Sequence, residues 1–433
     1  MPGNSNVGRP EVVSRRGVLG VSAGIAAATV LPRQSGGGGF FSGVSQSIRV
    51  GVIGCGGRGT GAAIQAAAAS SDVRVVALAD LYADQIASSA TLLSRGLGHR
   101  FDCPEERRFI GPDCHAGLLA SGVDVVLLTA PPHVRPLQMA AAIAAGAHVY
   151  CEKPVAVDLT GVQTVIAACQ AARRSGLAVV SGLCHRRDGR TVQTIERIRD
   201  GWIGGQREPL LLQAHARIGL PWWRPCDPCR GEDEIRQRNW ISFSEFSGGH
   251  FVEHHVDAID RGLWALGDIS PVAAVPEPAG FEAMRRSDRA GLPGDCAAFT
   301  GVRYSFADGS LLHASCTRVP IVGSRLVEMV SGSRGACDLL RHRFVPAGRP
   351  LADADTGLPR SGGMYQTTMT ALIDAVVSGR TMDDGGFMCR STLAAIAGRM
   401  AAASGREIRW DGILSPVRQD YPFHTLPDFV NGA

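Results

Sequence analysis

The chain has 433 residues, a length that suits two ordinary domains better than one. Charged side chains make up 19% of the residues and the net charge is only +4, so the composition lacks the basic face typical of nucleic-acid binding. No apolar run approaches the roughly 20 residues of a membrane-spanning helix, so no membrane span is expected.

The first 46 residues are predicted to lie outside the fold, as an export signal followed by a linker. Ser14, Arg15 and Arg16 precede a mildly apolar stretch of about 15 residues, which matches a signal in length. This arrangement resembles a twin-arginine signal and predicts export of the folded protein to the periplasm. The alternative is a disordered basic tail. The run "QSGGGGFFSG" then indicates a flexible linker.

A nucleotide-binding turn is predicted directly after the first strand. The apolar run that begins at Ile48 leads into Gly54-x-Gly56-x-x-Gly59, and an alanine-rich helical stretch follows. In this context Gly54 permits a tight turn, Gly56 lets the backbone approach a pyrophosphate, and Gly59 lets helix and strand pack closely. The phosphates would then face the N-terminus of the helix.

The next predicted strand, "VRVVALAD", ends at Asp80, near the position expected for a carboxylate that binds the adenosine ribose. A carboxylate there favours NAD, because it repels the 2′-phosphate of NADP. Arg58 leaves NADP open, since its guanidinium could reach such a phosphate. The alternative for Asp80 is a helix N-cap.

Strand and helix patterns continue to alternate through "VDVVLLTAPP", "HVYCEKP" and "LAVVSGL". Apolar runs at this spacing predict a doubly wound parallel sheet that is covered by helices on both faces. Ligands of such sheets bind at the carboxyl ends of the strands. Lys153 directly follows one of these strands, so we expect it at the ligand-binding edge.

Four motifs, in this order, resemble the Gfo/Idh/MocA oxidoreductases: "GVIGCGGRG", "VDVVLLTAPPH", "AAGAHVYCEKP" and "SGLCHRR". The resemblance implies an N-terminal Rossmann domain and a C-terminal α/β domain with a large open, mostly antiparallel sheet. It also implies that the nicotinamide of NAD or NADP lies between them and that Lys153 contacts both cofactor and substrate. Further cofactor contacts are implied for Gly57, Pro131, His133 and Glu152.

The resulting domain prediction is an N-terminal segment over residues 1–46, a Rossmann domain over 47–186 and a substrate and oligomerisation domain over 187–433. In the last of these, Asp308-Gly309 between two strand-like runs indicates a β-hairpin. The resemblance implies a homo-oligomer, a dimer or tetramer, formed through the open sheet. The pair Cys226 and Cys229 is compatible with a metal, a disulfide or neither.

The segment "FSGGHFVEHHVDAIDRGLWALG" is predicted to be one helix that carries the catalytic groups. Glu253, Asp257 and Asp260 share one face, where like charges repel unless solvent, a cation or a polar ligand compensates. By the resemblance, Glu253 and Asp260 match two family acids, but Asp257 stands where a histidine base is usual. We therefore predict that Glu253, His255 and Asp257 line the pocket opposite Lys153, with His255 or the Asp257 carboxylate as the base.

Two other interpretations of this helix stay open. His250 and His254, four residues apart, could bind a metal with one carboxylate, although the favoured prediction contains no metal. The acidic face could instead be solvated and the protein catalytically inactive.

The favoured function is NAD(P)-dependent oxidoreduction of a hydroxyl on a sugar, sugar derivative or cyclitol. Lys153 would stabilise the developing alkoxide. His185, Arg186, Trp240 and Asp260 are predicted to contact the substrate. The alternatives are a nicotinamide-dependent glycosidase, which oxidises its substrate only transiently, and a protein that binds cofactor or sugar without catalysis.

Overall fold

The computed structural model describes residues 47–204, 208–225, 231–278, 294–320, 323–349 and 363–413. The predicted export signal and the Cys226 and Cys229 pair lie outside these residues. Among the described residues, no helix has both the length and the apolar composition needed to cross a membrane.

The N-terminal half forms a parallel sheet of six strands, in the order β3-β2-β1-β4-β5-β6. The strands are β1 (Ile48–Ile53), β2 (Val73–Asp80), β3 (Arg108–Ile110), β4 (Val125–Leu128), β5 (His148–Cys151) and β6 (Val179–Ser181). Their helices are α1 (Gly57–Ala69), α2 (Ala83–Leu97), α3 (Cys114–Ala120), α4 (Arg135–Ala144) and α5 (Leu159–Arg174). Every residue of β4 is buried, as expected for a parallel strand with helices on both faces.

The C-terminal half forms an eight-stranded sheet, in the order β13-β12-β11-β7-β10-β9-β8-β14. The strands are β7 (Leu211–Ile218), β8 (Ala273–Pro276), β9 (Phe299–Ser305), β10 (Leu311–Arg318), β11 (Arg325–Gly332), β12 (Gly335–Asp338), β13 (Arg343–Pro346) and β14 (Ile408–Arg409). Only β7 and β10 pair in parallel, and β9 and β10 form the hairpin predicted around Asp308-Gly309. The predicted fold class, a Rossmann sheet with a second, mostly antiparallel sheet, is therefore confirmed.

Helices of the second half cover the inner face of this sheet and reach back to the first half. They are α6 (Gly189–Arg199), α7 (Glu232–Arg238), α8 (Ser244–Ser247), α9 (Gly249–Glu253), α10 (Val256–Ala265), α11 (Met364–Ser378) and α12 (Gly385–Ser404). Buried side chains of α11 join the same apolar cluster as β1 and α1, while α12 packs against α5 and α10. The described part of 46–433 forms one compact unit, so the domain boundary at 186/187 stays a prediction.

The segment predicted as one long helix is divided into α8, α9 and α10. Gly248 and Gly249 both adopt positive φ angles, 77° and 76°, and separate α8 from α9. His254 and His255 form a turn between α9 and α10. The prediction of one continuous helix was wrong. Apolar residues keep a helical spacing across these breaks, so the spacing alone does not reveal them. Glu253 of α9 and Asp257 of α10 nevertheless still face the same side, because their carboxylates lie 3.9 and 3.1 Å from Lys153 Nζ.

Candidate active site at the edge of the parallel sheet

In the turn after β1, two glycines are tightly packed and two have open space around them. A Cβ at Gly54, where φ is 94°, would overlap the backbone of Ala130, and one at Gly59 would overlap the Gly54 oxygen. A Cβ at Gly56 or Gly57 would have no neighbour within 4 Å. This open backbone at the start of α1 is the cradle that a pyrophosphate requires, so the turn fits a dinucleotide.

Asp80 is placed to complete this nucleotide edge. Its carboxylate accepts hydrogen bonds from the backbone N–H of Cys55 at 2.7 Å and of Tyr82 at 3.0 Å. Burial raises the pKa of Asp80, although these two bonds oppose the change. The residue that caps α2 is Tyr82, so the N-cap alternative for Asp80 was wrong. The turn from Gly54 to Gly59, together with Asp80, is called the glycine edge below.

Arg58 contacts Glu152 and two tyrosines. Its guanidinium pairs with Glu152 and donates to the Tyr150 hydroxyl at 2.9 Å, and it lies over the ring of Tyr365. The Arg58 guanidinium is thus paired with Glu152, and its reach to a 2′-phosphate stays a prediction. The cation with an electrostatic effect on Asp80 is instead Arg224, which sequence reasoning missed.

Pro131 and His133 lie in the loop between β4 and α4, at the carboxyl end of the sheet. The His133 ring packs against Phe246 of α8, with ring centroids 4.8 Å apart. Burial lowers the pKa of this histidine, which favours its neutral form. The position is compatible with the predicted contact to a cofactor, and that contact stays a prediction.

Lys153 lies at the junction of the two halves. Its Nζ donates to the backbone oxygen of Glu253 at 2.8 Å and lies 3.1 Å from Asp257 Oδ2. The Glu253 carboxylate is more distant, at 3.9 Å. Glu253 is the last residue of α9, so the break in the helix leaves its carbonyl available to the lysine. The predicted meeting of Glu253 and Asp257 with Lys153 is thus what the structure shows.

The carboxylates around Lys153 keep it charged. Burial alone would lower the pKa of the lysine, but the negative charges of Asp257, Glu253 and Glu152 outweigh it and raise the pKa well above the ordinary value. Glu152 also accepts the backbone N–H of Lys153 at 3.0 Å, which fixes the base of the side chain. The acidic helix face predicted from the sequence therefore meets a cation rather than solvent alone.

His185 lies between two carboxylates of α10. Its Nε2 is 2.6 Å from Asp260 Oδ2, and its Nδ1 is 3.8 Å from Asp257 Oδ1. Because the buried Asp260 accepts the Nε2 proton, Nδ1 is the nitrogen that remains to accept another. Burial would raise the pKa of Asp257, but the charge on Lys153, followed by His185 and Arg261, lowers it instead. Lys153, His185, Glu253, Asp257 and Asp260 are called the Lys153 cluster below.

Two residues predicted to contact the substrate are occupied by the protein itself. Asp260 is 0% exposed and accepts hydrogen bonds from Arg186 and Ser391 as well as facing His185. Arg186 pairs with Asp260 and Asp268, and its guanidinium lies over the rings of Trp264 and Phe387. The prediction of substrate contact was wrong for both, because their polar atoms are satisfied within the fold. They hold His185 in place.

His255 was wrongly predicted as the base. Although it borders the cavity, it is only 2% exposed, and its Nε2 donates to the backbone oxygen of Ala214 at 2.9 Å. Burial lowers the pKa of His255 to about 3, so it stays neutral. His250 is also buried, with its Nε2 against the Cys316 oxygen at 3.1 Å. In the described ranges, no three His, Cys, Asp or Glu side chains converge as a metal site would require.

Lys153, His185, Glu253 and Asp257 of the Lys153 cluster line a cavity of about 370 Å³, and from the glycine edge Arg58 lines it too. Arg58, Glu152, Lys153, His185, Trp240 and Asp257 are among its lining residues. Trp240 thus has the predicted position for contact with a substrate. Arg261 and Glu328, which pair with each other, also line this cavity and were missed, because they lie on α10 and β11 with no motif to connect them.

One feature of the sequence could have identified the centre of this site directly. Lys153 is the only lysine in the 433-residue chain, which has 44 Lys and Arg residues in total. An ammonium is a compact point charge, whereas a guanidinium is a planar fork with five donors. The rest of those 44 residues are arginine, so the one lysine of the chain is the cation whose ammonium meets Asp257 in the cavity.

The family comparison concerns the N-terminal half. The model described as "Oxidoreductase family, NAD-binding Rossmann fold" (Gfo/Idh/MocA) matches residues 48–181, the range from β1 to β6. Inositol 2-dehydrogenase of Klebsiella pneumoniae (strain 342) is 30% identical over 171 residues. Those residues are 40% of this chain and 46% of that enzyme, so the chain matches about half the length of this relative.

Solved structures show the same fold over a longer range. The myo-inositol 2-dehydrogenase of Lactobacillus plantarum has a TM-score of 0.61 at 18% identity, covering 84% of this chain and 99% of that one. GenD2 from gentamicin A biosynthesis, in complex with NAD, has a TM-score of 0.59 at 19% identity, covering 86% and 99%. At these identities the likeness concerns the fold alone.

Proposed function

We propose that the protein is an NAD(P)-dependent oxidoreductase, because residues 48–181 match the Gfo/Idh/MocA NAD-binding Rossmann family. Its substrate is a hydroxyl of a sugar, sugar derivative or cyclitol. The observation that carries this proposal is the position of Lys153, whose Nζ is 3.1 Å from Asp257 in a cavity that Arg58, from the turn after β1, also lines. An ammonium held there by a carboxylate is suited to bind a hydroxyl oxygen and to stabilise it as negative charge develops.

The Lys153 cluster supplies the groups that the oxidation of a hydroxyl needs. A bound nicotinamide would accept the two electrons as hydride. Lys153 binds the substrate oxygen, and its raised pKa keeps it an ammonium throughout. The hydroxyl proton passes to the pair formed by Asp257 and His185. His185 holds the proton on Nδ1, which faces Asp257 Oδ1 at 3.8 Å, while Asp260 binds Nε2 and stabilises the imidazolium.

NAD is the proposed cofactor, on the strength of the Asp80 carboxylate at the end of β2. Arg58, which would favour NADP, is bound to Glu152 instead. Arg224 has an electrostatic effect on Asp80 and is the residue through which NADP could compete. Separate titrations with NAD and NADP test this choice, and a weaker affinity for NAD would contradict it.

Export by the twin-arginine route and assembly into a dimer or tetramer through the open sheet complete the proposal. The first rests on Arg15 and Arg16, which lie outside the described residues. Changing both to lysine should retain the protein in the cytoplasm, and undiminished export would contradict the proposal. The second is tested by the mass of the protein in solution.

The proposed function is tested by following the transfer of deuterium from the substrate to the nicotinamide. Protein loaded with NAD is mixed with sugars and cyclitols deuterated at their carbinol carbons. We expect one deuterium on the nicotinamide for each ketone formed, and none in Lys153→Ala, whose nucleotide affinity should be unchanged. Removal of a single charge-stabilising donor lowers kcat by about 10²- to 10³-fold.

Two outcomes of the same experiment favour the alternatives. Cleavage of a glycoside with no net reduction of NAD would indicate a glycosidase. Tight nucleotide binding without transfer from any sugar or cyclitol would indicate a protein that only binds its ligands.

A further inference from the structure

The cations around the main cavity are already engaged by the protein. Arg58 pairs with Glu152, Lys153 with Asp257, and Arg261 with Glu328. Arg135, the fourth cation, donates to the backbone oxygens of Ala130, Glu152 and Pro154. Each of these cations is therefore already bound by the protein and is less available to an anionic group of a ligand. The cavity suits the neutral, hydroxyl-bearing part of a substrate.

A second, more open cavity of about 610 Å³ has a different electrostatic character. Its lining residues are Ile218, Gly219, Leu220, His254, Arg318, Pro320, Gly323 and Ser324, none of which is acidic. His254 also lines the main cavity, so this one side chain borders both cavities. A ligand with one group at Lys153 would reach the second cavity by passing His254.

Arg318 is the cation of this second cavity. It is the last residue of β10, and its Nη1 donates to the backbone oxygen of Gly219 at 2.9 Å. No carboxylate within the described parts of the chain lies at ion-pair distance from it, although Glu253 has a weaker electrostatic effect. Burial lowers the pKa of Arg318, which indicates that its charge is incompletely compensated. Its contact with Gly219 holds the guanidinium at the cavity wall.

We propose that Arg318 binds an anionic substituent of the substrate, so that the substrate is an acidic sugar derivative. This inference rests on the proposed function, which places the reacting hydroxyl at Lys153. A carboxylate and a phosphate monoester share the chemistry that a guanidinium recognises, two parallel N–H···O bonds from a planar fork. The neutral ring lies in the cavity of paired charges, and the anionic group lies beyond His254 at Arg318.

The test compares three ligands that differ in charge: glucuronate, glucose 6-phosphate and glucose. Their dissociation constants are measured by calorimetry on the NAD-loaded protein. We expect at least one anionic sugar to bind more tightly than glucose, and Arg318→Gln to weaken that ligand by about tenfold or more, the usual value of a hydrogen bond to a charged group. Which of the two anions responds distinguishes a carboxylate from a phosphate substrate.

Two further variants keep the test decisive. Arg303→Gln removes a positive charge from an exposed position on β9 and should leave all three affinities unchanged. Arg318→Lys keeps the charge but loses the fork, and should bind the anionic sugar with intermediate affinity. The proposal is overturned if wild-type protein binds glucose as tightly as both anions, or if Arg318→Gln and Arg318→Lys retain the full preference.

Failure of this inference is distinguishable from failure of the proposed function. Deuterium transfer from neutral sugars without any preference for anions would support the proposed oxidoreductase and contradict the proposed site at Arg318. Anion binding that depends on Arg318, without deuterium transfer from any of the deuterated sugars and cyclitols, would sustain the site and contradict the oxidoreductase.

Discussion

The glycine edge and the Lys153 cluster both lie at the carboxyl ends of the parallel strands, but they are built in different ways. The glycine edge is made of backbone from one short stretch, with Asp80 added from the neighbouring strand. The Lys153 cluster is made of side chains that come from β5, the end of β6 and two separate helices, with His185 and Asp260 75 residues apart. A nucleotide cradle can thus be specified locally, whereas an acid–base site depends on how distant elements pack.

Substitutions of His185 and His255 provide the most sensitive test of this comparison. His185→Asn should lower kcat by about 10²- to 10⁴-fold, the usual loss for an acid–base group. His255→Asn should change kcat little and instead lower the free energy of unfolding by about 1–3 kcal/mol, because the Ala214 oxygen loses its buried donor. Steady-state kinetics and thermal unfolding of both variants give the answer. A larger loss of kcat in His255→Asn would restore the base predicted from the sequence.

Substitutions of Gly54 and Gly56 test whether the glycine edge serves the fold or the nucleotide. Gly54→Ala should destabilise the fold by a few kcal/mol, roughly 1–3 for the positive φ alone, because its Cβ also overlaps the Ala130 backbone. Gly56→Ala has open space around it, so the fold should persist while NAD binds more weakly. Unfolding and NAD titration separate the two effects. Equal loss of stability in both variants would show that the open backbone at Gly56 is not a nucleotide cradle.

A smaller effect is expected on the ionisation of Lys153. Asp257→Asn removes the strongest influence that raises the pKa of this lysine, while the burial that lowers it remains. The ammonium should then lose its proton at a lower pH than in wild-type protein. Because its folded pKa is raised, the stability that its charge contributes is present below the ordinary lysine value of 10.5 and lost as the pH rises through the folded value.

This shift in the pKa of Lys153 can be measured by NMR without assignment of the resonances. Protein grown on isotope-labelled lysine has one side-chain signal, because Lys153 is the only lysine in the chain. Glu245→Gln, which removes an exposed acid paired with Arg236, serves as the control and should leave the titration unchanged. An unaltered titration in Asp257→Asn would contradict the pairing of these two residues.

The sequence predicts the glycine edge well because its information is local. Spacing alone indicates which glycine turns the chain and which approaches a ligand, and both agree with the space around Gly54 and Gly56. The two-sheet fold could be predicted in part from alternating apolar runs and in part from the family resemblance. The strand order of the eight-stranded sheet could not, because β7 pairs with β10 and β11 across a hundred residues of chain.

The errors at the Lys153 cluster have a common physical cause. The family resemblance suggested His255 as a base, but its ring packs towards β7 and donates to the Ala214 oxygen. Arg186 and Asp260 have the residue types of a sugar-binding site, yet they satisfy each other within the fold. Periodicity indicates which residues share a face only while the helix continues, and residue type does not show which polar groups are already paired.

The central claim is that Lys153 acts on a substrate hydroxyl beside a nucleotide held by the glycine edge. It is tested most directly by mixing NAD-saturated protein with a reactive sugar or cyclitol and following nicotinamide absorbance in a single turnover. Wild-type protein should show a rapid rise, and Lys153→Ala, at equal NAD occupancy, should be slower by about 10²- to 10³-fold. An equal rate in the two proteins would contradict the account, because the only lysine of the chain would then have no part in the reaction.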